Sequence, residues 1–274
     1  MFLRNVLATL VALVIFCIGV FFLFVIAAGI ITATGEKTVA ISDNTILHLK
    51  LDRPILERSV ENPFGGVVMI GAGAAGYGLN ELKQSIRRAA QDDRIEGILL
   101  EPDYIYAGLA KLYELRKELE AFKESGKFVI AYSEYLTEAE YYLASVADEV
   151  YLPEEGIVEF NGFRAEYNFI KGTLDKIGVE AEIFKAGDYK SAVEPFTRTE
   201  MSKESEEQTA AMLESFYTTY LEDVSRSREV SKENLRMIAD SMLATNAKDA
   251  LHYDLITDTK YFDQVIEELK ELTG

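Results

Sequence analysis

From Val6 to Ile31 the chain runs for 26 residues without a charged side chain, built mainly from Val, Ile, Leu and Phe. A helix of that length crosses a hydrocarbon core about 30 Å thick with some tilt. A helix on a water-soluble domain would show a polar face, and this run has none. It therefore reads as a membrane span. Ala27, Ala28 and Gly29 keep a cleavable signal sequence as the alternative, although signal sequences carry a shorter apolar stretch of roughly 7 to 15 residues.

Arg4 is the only charged side chain in residues 1 to 35, so the other 27 basic and all 46 acidic side chains lie in residues 36 to 274. The positive-inside rule puts the amino terminus in the cytoplasm and the acidic part on the far side. The expectation is a single-pass protein of the inner (cytoplasmic) membrane, with residues 1–35 as anchor and residues 36–274 as an extracytoplasmic domain. A formal charge of −18 argues against nucleic acid as a partner, because phosphate binding needs a basic surface. Cys17 is the single cysteine and lies in the apolar run, which excludes a disulfide framework in the domain.

Residues 36 to 274 alternate between two periodicities. Thr45 to Leu51 has period two and reads as a strand, as do Ile95 with Ile98 to Leu100, Phe128 to Tyr132, Val150 to Leu152, and Val179 to Lys185. Between them, Leu79, Leu82 and Ile86 recur at helical spacing. Leu109, Leu112, Leu115, Leu119 and Phe122 do so too, closed by Ser125 and Gly126, and Ala139 to Ala147 reads as a short helix. Phe169, Ile170, Leu174 and Ile177 mark another helix ending at Gly178. After Glu200 only helices follow. One is capped by Ser202 with Met212, Phe216, Tyr220 and Val224 as its stripe, one is capped by Ser231 and runs through Met242, and the last carries Phe262, Val265, Ile266 and Leu269. Strand after helix predicts a layered α/β domain with a mainly parallel sheet, followed by C-terminal helices.

Candidate chemistry is sparse. Gly71-Ala72-Gly73-Ala74-Ala75-Gly76 fits a dinucleotide-loop pattern, but Asp92 and Asp93 sit in a helix-to-strand connection where the pattern wants a strand end, so a surface loop is the better reading. His48 and His252 are the only histidines and lie far apart, which disfavours a Ser/His/Asp triad or a zinc site. Glu154 and Glu155 read as solvated loop charges. What remains is serine with lysine, since burial can bring a lysine amine toward neutrality and let it act as a general base. Periodicity does not say which lysine.

Gly187-Asp188-Tyr189-Lys190-Ser191-Ala192-Val193-Glu194-Pro195-Phe196 resembles the signal peptide peptidase (SppA, protease IV) family in its long, double-domain form. The resemblance extends through Leu79 to Leu82, Asp92 to Ile98, Gly126 to Tyr132 and Tyr141 to Ser145, in order, over nearly all of residues 36 to 274. It implies a ClpP/crotonase-like fold and a membrane-anchored homo-oligomer that cleaves signal peptides and other apolar peptides with a Ser/Lys dyad and no cofactor or metal. Lys190 matches the family's general-base lysine, and Ser191 is a candidate for orienting its amine. Glu138 occupies the nucleophile's place, in Glu138-Ala139-Glu140-Tyr141-Tyr142 where short members have a Ser-Gly-Gly-Tyr-Tyr-like motif. Glu101-Pro102-Asp103-Tyr104 stands where short members carry a glycine pair for the oxyanion hole. Both departures make the chain resemble the N-terminal, lysine-bearing half, whose partner is a second, serine-bearing half. A non-catalytic subunit assembled with an active relative is the rival expectation. Cleavage by residues 36 to 274 unaided, dependent on a serine such as Ser133 or Ser145, would oppose both.

Overall fold

The computed structural model describes residues 2–33, 41–59, 76–184 and 186–274. The chain forms two compact units that divide between Ser42 and Asp43. The first holds one helix, α1 (Phe2–Ala33). Its Arg4–Ala27 stretch has a mean hydropathy of 3.3 and buries none of its side chains within the protein. This apolar helix fits a single-pass membrane anchor or a signal sequence.

In the second unit the elements run in the order β1 (Thr45–Leu51), β2 (Ile55–Leu56), β3 (Tyr77–Gly78), α2 (Leu79–Gln91), β4 (Ile95–Pro102), α3 (Leu109–Lys123), β5 (Phe128–Tyr132), β6 (Tyr135–Leu136), α4 (Glu138–Ala144), β7 (Glu149–Leu152) and β8 (Ile157–Val158). Then come α5 (Lys171–Lys176), a 3₁₀ turn (Ser191–Val193), α6 (Glu194–Thr197), α7 (Lys203–Arg228), α8 (Lys232–Asp240), α9 (Ala247–His252), β9 (Asp258–Thr259) and α10 (Phe262–Thr273). The central sheet has the order β1-β4-β5-β7-β9, and each of its pairings is parallel. Helices connect its strands, as parallel pairing requires.

Register sets the two faces of the sheet. Leu47 lies beside Ile98 and Leu49 beside Leu100, and those two β4 residues lie beside Val129 and Ala131. That face carries the larger core, shared with Leu82 and Ile86 of α2, Leu112, Leu115 and Leu119 of α3, and Tyr141 of α4. The opposite face offers Leu99, Ile130, Tyr132 and Tyr151, covered by Val265 and Leu269 of α10. Gly126, at φ +83°, ends the α3 connection in the left-handed region that glycine enters without a Cβ clash.

The expected strand over Val179 to Lys185 is not formed in its described part, residues 179 to 184, and Lys185 lies outside the described residues. The alternation is present, but among the described residues this segment has no neighbouring strand to complete a ladder. The stripe expected on α7 is split. Tyr220 and Val224 are buried, whereas Met212 and Phe216 are more than two-fifths exposed, because the buried face turns to include Tyr217 and Leu221. Of the glycine-rich loop, Gly71 to Ala75 lie outside the described residues.

Candidate functional site

The strand β4 ends at Pro102, and the chain turns through Tyr104 at φ +53°, a left-handed conformation unusual for a non-glycine residue. The next residue, Ile105, donates its N–H to the Glu140 carboxylate at 2.5 Å. Glu140 is buried in the first turn of α4. Its other oxygen accepts from the Thr137 N–H at 3.2 Å and from the Thr137 hydroxyl, while that hydroxyl accepts from the Ala139 N–H at 3.3 Å. A capping box thus starts α4 and also ties it to the end of β4. The backbone donor that follows β4 is consequently filled by a carboxylate of the same chain.

Glu138 opens α4 beside this box, half-buried, and accepts the Asn161 N–H at 3.0 Å. Burial pushes its carboxyl above the usual range, against the lowering effect of hydrogen bonds from the backbone of Asn161 and Gly162. One helical turn on, Tyr142 lies at the wall of a cavity of about 310 Å³ between α3, α4 and α7, with Leu109, Tyr113, Phe216 and Tyr220 around it. Tyr142 stacks on Tyr220 at 5.5 Å and donates to Asp223 at 2.5 Å.

Arg116, fully buried on α3, holds these helices together. It donates to the Tyr142 carbonyl and, at 2.8 Å, to the Ser145 hydroxyl of the turn after α4. It also donates to the Asp223 carbonyl at 2.8 Å and the Ser227 hydroxyl at 2.6 Å on α7, and its guanidinium covers the Tyr142 ring at 4.7 Å. Ser133 is buried, with its hydroxyl 3.0 Å from the Pro102 carbonyl and 2.8 Å from the Tyr135 carbonyl, sharing its one proton between them. Both serines are therefore engaged in holding the backbone. His48 is bonded to Glu101 at 2.7 Å, and Glu155 accepts from the Tyr261 hydroxyl at 3.0 Å.

The Lys190 turn is built differently. Residues 161 to 200 contribute no strand among the described residues, only α5, the 3₁₀ turn and α6. Lys190 caps the 3₁₀ turn with φ −90° and ψ 71°, is exposed, and makes no hydrogen bond or ion pair among the described residues. Ser191 is half-buried and begins that turn, its carbonyl accepting the Glu194 N–H. Glu194 is buried and accepts from the Ser202 N–H at 3.0 Å and the Ser202 hydroxyl at 2.5 Å, and the Ser202 hydroxyl also caps α7 by accepting the Ser205 N–H at 3.2 Å. Sequence reasoning singled out Lys190, Ser191 and Glu138 but missed Glu194, Glu140 and Arg116. The one available signal was Glu194 standing eight residues before the expected cap at Ser202.

Peptidase family S49 matches residues 121–274, more than half of the chain and the whole stretch from β5 through the Lys190 turn. The chain belongs to peptidase family S49. Its parallel sheet and flanking helices are the ClpP-like fold of that family. A chloroplastic serine protease SPPA of Arabidopsis thaliana is 31% identical over 202 residues, covering 73% of this chain and 29% of the relative. Protease 4 of Haemophilus influenzae is 38% identical over 161 residues, covering 58% and 26%, and Protease 4 of Salmonella typhi is 34% identical over 186 residues, covering 65% and 30%. The chain thus spans less than a third of the length of each of these relatives. S49 membership supports serine-protease chemistry.

Proposed function

We propose that this chain is the lysine-bearing half of a membrane-anchored serine endopeptidase that degrades cleaved signal peptides and other apolar peptides. Lys190 is the general base and a second half, working with it in an oligomer, brings the serine. The observation that carries this reading is the contrast within one S49 chain: the motif lysine is exposed and unengaged among the described residues, whereas the nucleophile position holds Glu138 and the Ile105 N–H is taken by Glu140. A neutral Lys190 amine accepts the serine proton as the serine oxygen attacks the scissile carbonyl, then returns it to the leaving amine. Enclosure by the partner half supplies the desolvation that lowers a lysine pKa. Val179 and Phe196, both exposed and lining one surface depression next to α5 and α6, support a covering partner, because apolar side chains exposed together mark an interaction surface. The aromatic cavity beside α4 supports a preference for apolar side chains. The apolar helix α1 anchors the domain on the extracytoplasmic side of the cytoplasmic membrane, as Arg4 before the span and the acidic domain after it favour.

The filled donor at Ile105 favours one rival, a non-catalytic subunit of an active assembly. Peptidase assays on the native assembly in mild detergent separate the two. The dyad reading expects Lys190→Ala to abolish cleavage of a leucine-rich signal peptide, with oligomer size unchanged. Full activity in that variant ends the assignment and leaves the non-catalytic subunit.

A further inference from the structure

Between residues 161 and 204 every described side chain is exposed or half-buried except one, and that one is a carboxylate, Glu194, only 2% exposed. A buried acid is costly unless its oxygens are bonded. Here one oxygen takes the Ser202 N–H and the other the Ser202 hydroxyl. Ser202 is the N-cap of α7, a helix of 26 residues. The negative charge of Glu194 therefore sits where the helix dipole presents its positive end. Glu194 lies four residues after Lys190, and its own N–H closes the 3₁₀ turn onto the Ser191 carbonyl. A second tie, from the Ile170 N–H to the Pro195 carbonyl at 2.8 Å, fixes the same turn to the start of α5.

We propose that Glu194 is the positioning residue for Lys190, a carboxylate that docks the Lys190 turn on the first residues of α7 so that the amine projects from a fixed point of the domain. The inference rests on the reading of Lys190 as general base. The lysine side chain has no bonded partner of its own among the described residues, so its placement is inherited from the backbone of residues 190 to 197. That backbone is held to α7 through Glu194. The Ser202 hydroxyl serves both functions, donating to Glu194 and accepting from the Ser205 N–H, so the cap of α7 and the docking of the turn form one connected set.

Two measurements test it. Hydrogen–deuterium exchange on the full chain in detergent reads positioning without reference to activity. Glu194→Ala speeds exchange in residues 188 to 198 about tenfold or more while β4 and β5 keep their protection, and Glu194→Gln restores most of it through the amide oxygen. Steady-state kinetics on the native assembly read the consequence. Glu194→Ala lowers kcat by about tenfold to a hundredfold with KM unchanged, because a displaced base loses alignment and not substrate, and Glu194→Gln recovers most of the rate. Unchanged exchange at 188 to 198, or a drop in melting temperature with the same kcat per folded molecule, overturns the proposal. Lys190→Ala measured alongside tells the two failures apart. An inactive Lys190→Ala with an unaffected Glu194→Ala removes the positioning role alone, whereas an active Lys190→Ala removes the base and the positioning role with it.

Discussion

The end of β4 with α4, and the segment from residue 161 to 200, are each about one site-forming residue, and they treat it in opposite ways. Around α4 each polar group named finds its partner inside the domain: Glu140 on Ile105 and Thr137, Arg116 on α4 and α7, Ser133 on two carbonyls. Around Lys190 one buried carboxylate and the Ile170–Pro195 backbone bond fix the turn, and Phe184 stands 96% exposed. The first region is closed by its own side chains and the second presents its chemistry outward. A chain arranged this way has its unfinished surface on the lysine side.

The largest expected effect comes from breaking the closed region. Replacing Arg116 by Ala leaves the Tyr142 and Asp223 carbonyls and two serine hydroxyls without their buried donor, and the change should cost about 3–5 kcal/mol, as for breaking a buried charged network. Urea unfolding followed by near-ultraviolet tyrosine dichroism measures it. The matched change in the open region, Phe184→Ser, should leave the midpoint within about 0.5 kcal/mol, since nothing covers that ring among the described residues. Equal losses at the two positions would erase the distinction.

A smaller loss should follow at Glu140. Glu140→Gln keeps the shape but puts an NH2 in place of one of the two accepting oxygens, so the donors at either Ile105 or Thr137 lose their acceptor, at about 1–3 kcal/mol. Thermal melts of the two proteins check this, and a melting temperature unchanged by the glutamine would show that the α4 turn does not depend on the carboxylate.

Much of this contrast was legible in residues, and the limits have physical causes. Periodicity located β1 and β5 to the residue, and the caps at Ser202 and Ser231 start α7 and α8 where expected, because local pattern and side-chain capping act over a few residues. The strand expected over Val179 to Lys185 failed over its described residues, since alternation records a half-buried face and not the neighbour that buries it. Lys190 emerged from the motif and not from its spacing. Glu140 looked like one more acid in a chain of 46 acidic side chains, and only folding brings it to Ile105, 35 residues away. Arg116 was hidden for the same reason: on its own helix it pairs with Glu120 four residues on, as an ordinary surface arginine would, whereas its buried acceptors lie 26 to 111 residues further along.

The smallest effect is a matter of sign at Glu138, where the closed region still holds a strained charge. Burial keeps this carboxyl above its ordinary value of 4.5, so the folded protein holds the proton to a higher pH than the unfolded chain does. The stability tied to that proton is fully present below 4.5 and is withdrawn as pH rises through the folded-state value. Glu138→Gln keeps an oxygen for the Asn161 N–H and removes the charge. The variant should therefore match the parent in melting temperature at pH 4 and exceed it at pH 7. A glutamine variant less stable than the parent at pH 7 would mean that the carboxylate is anchored by Asn161 and Gly162 more strongly than it is penalised by burial. Glu138 would then count among the fully satisfied groups of its region, making the contrast with the Lys190 turn sharper still.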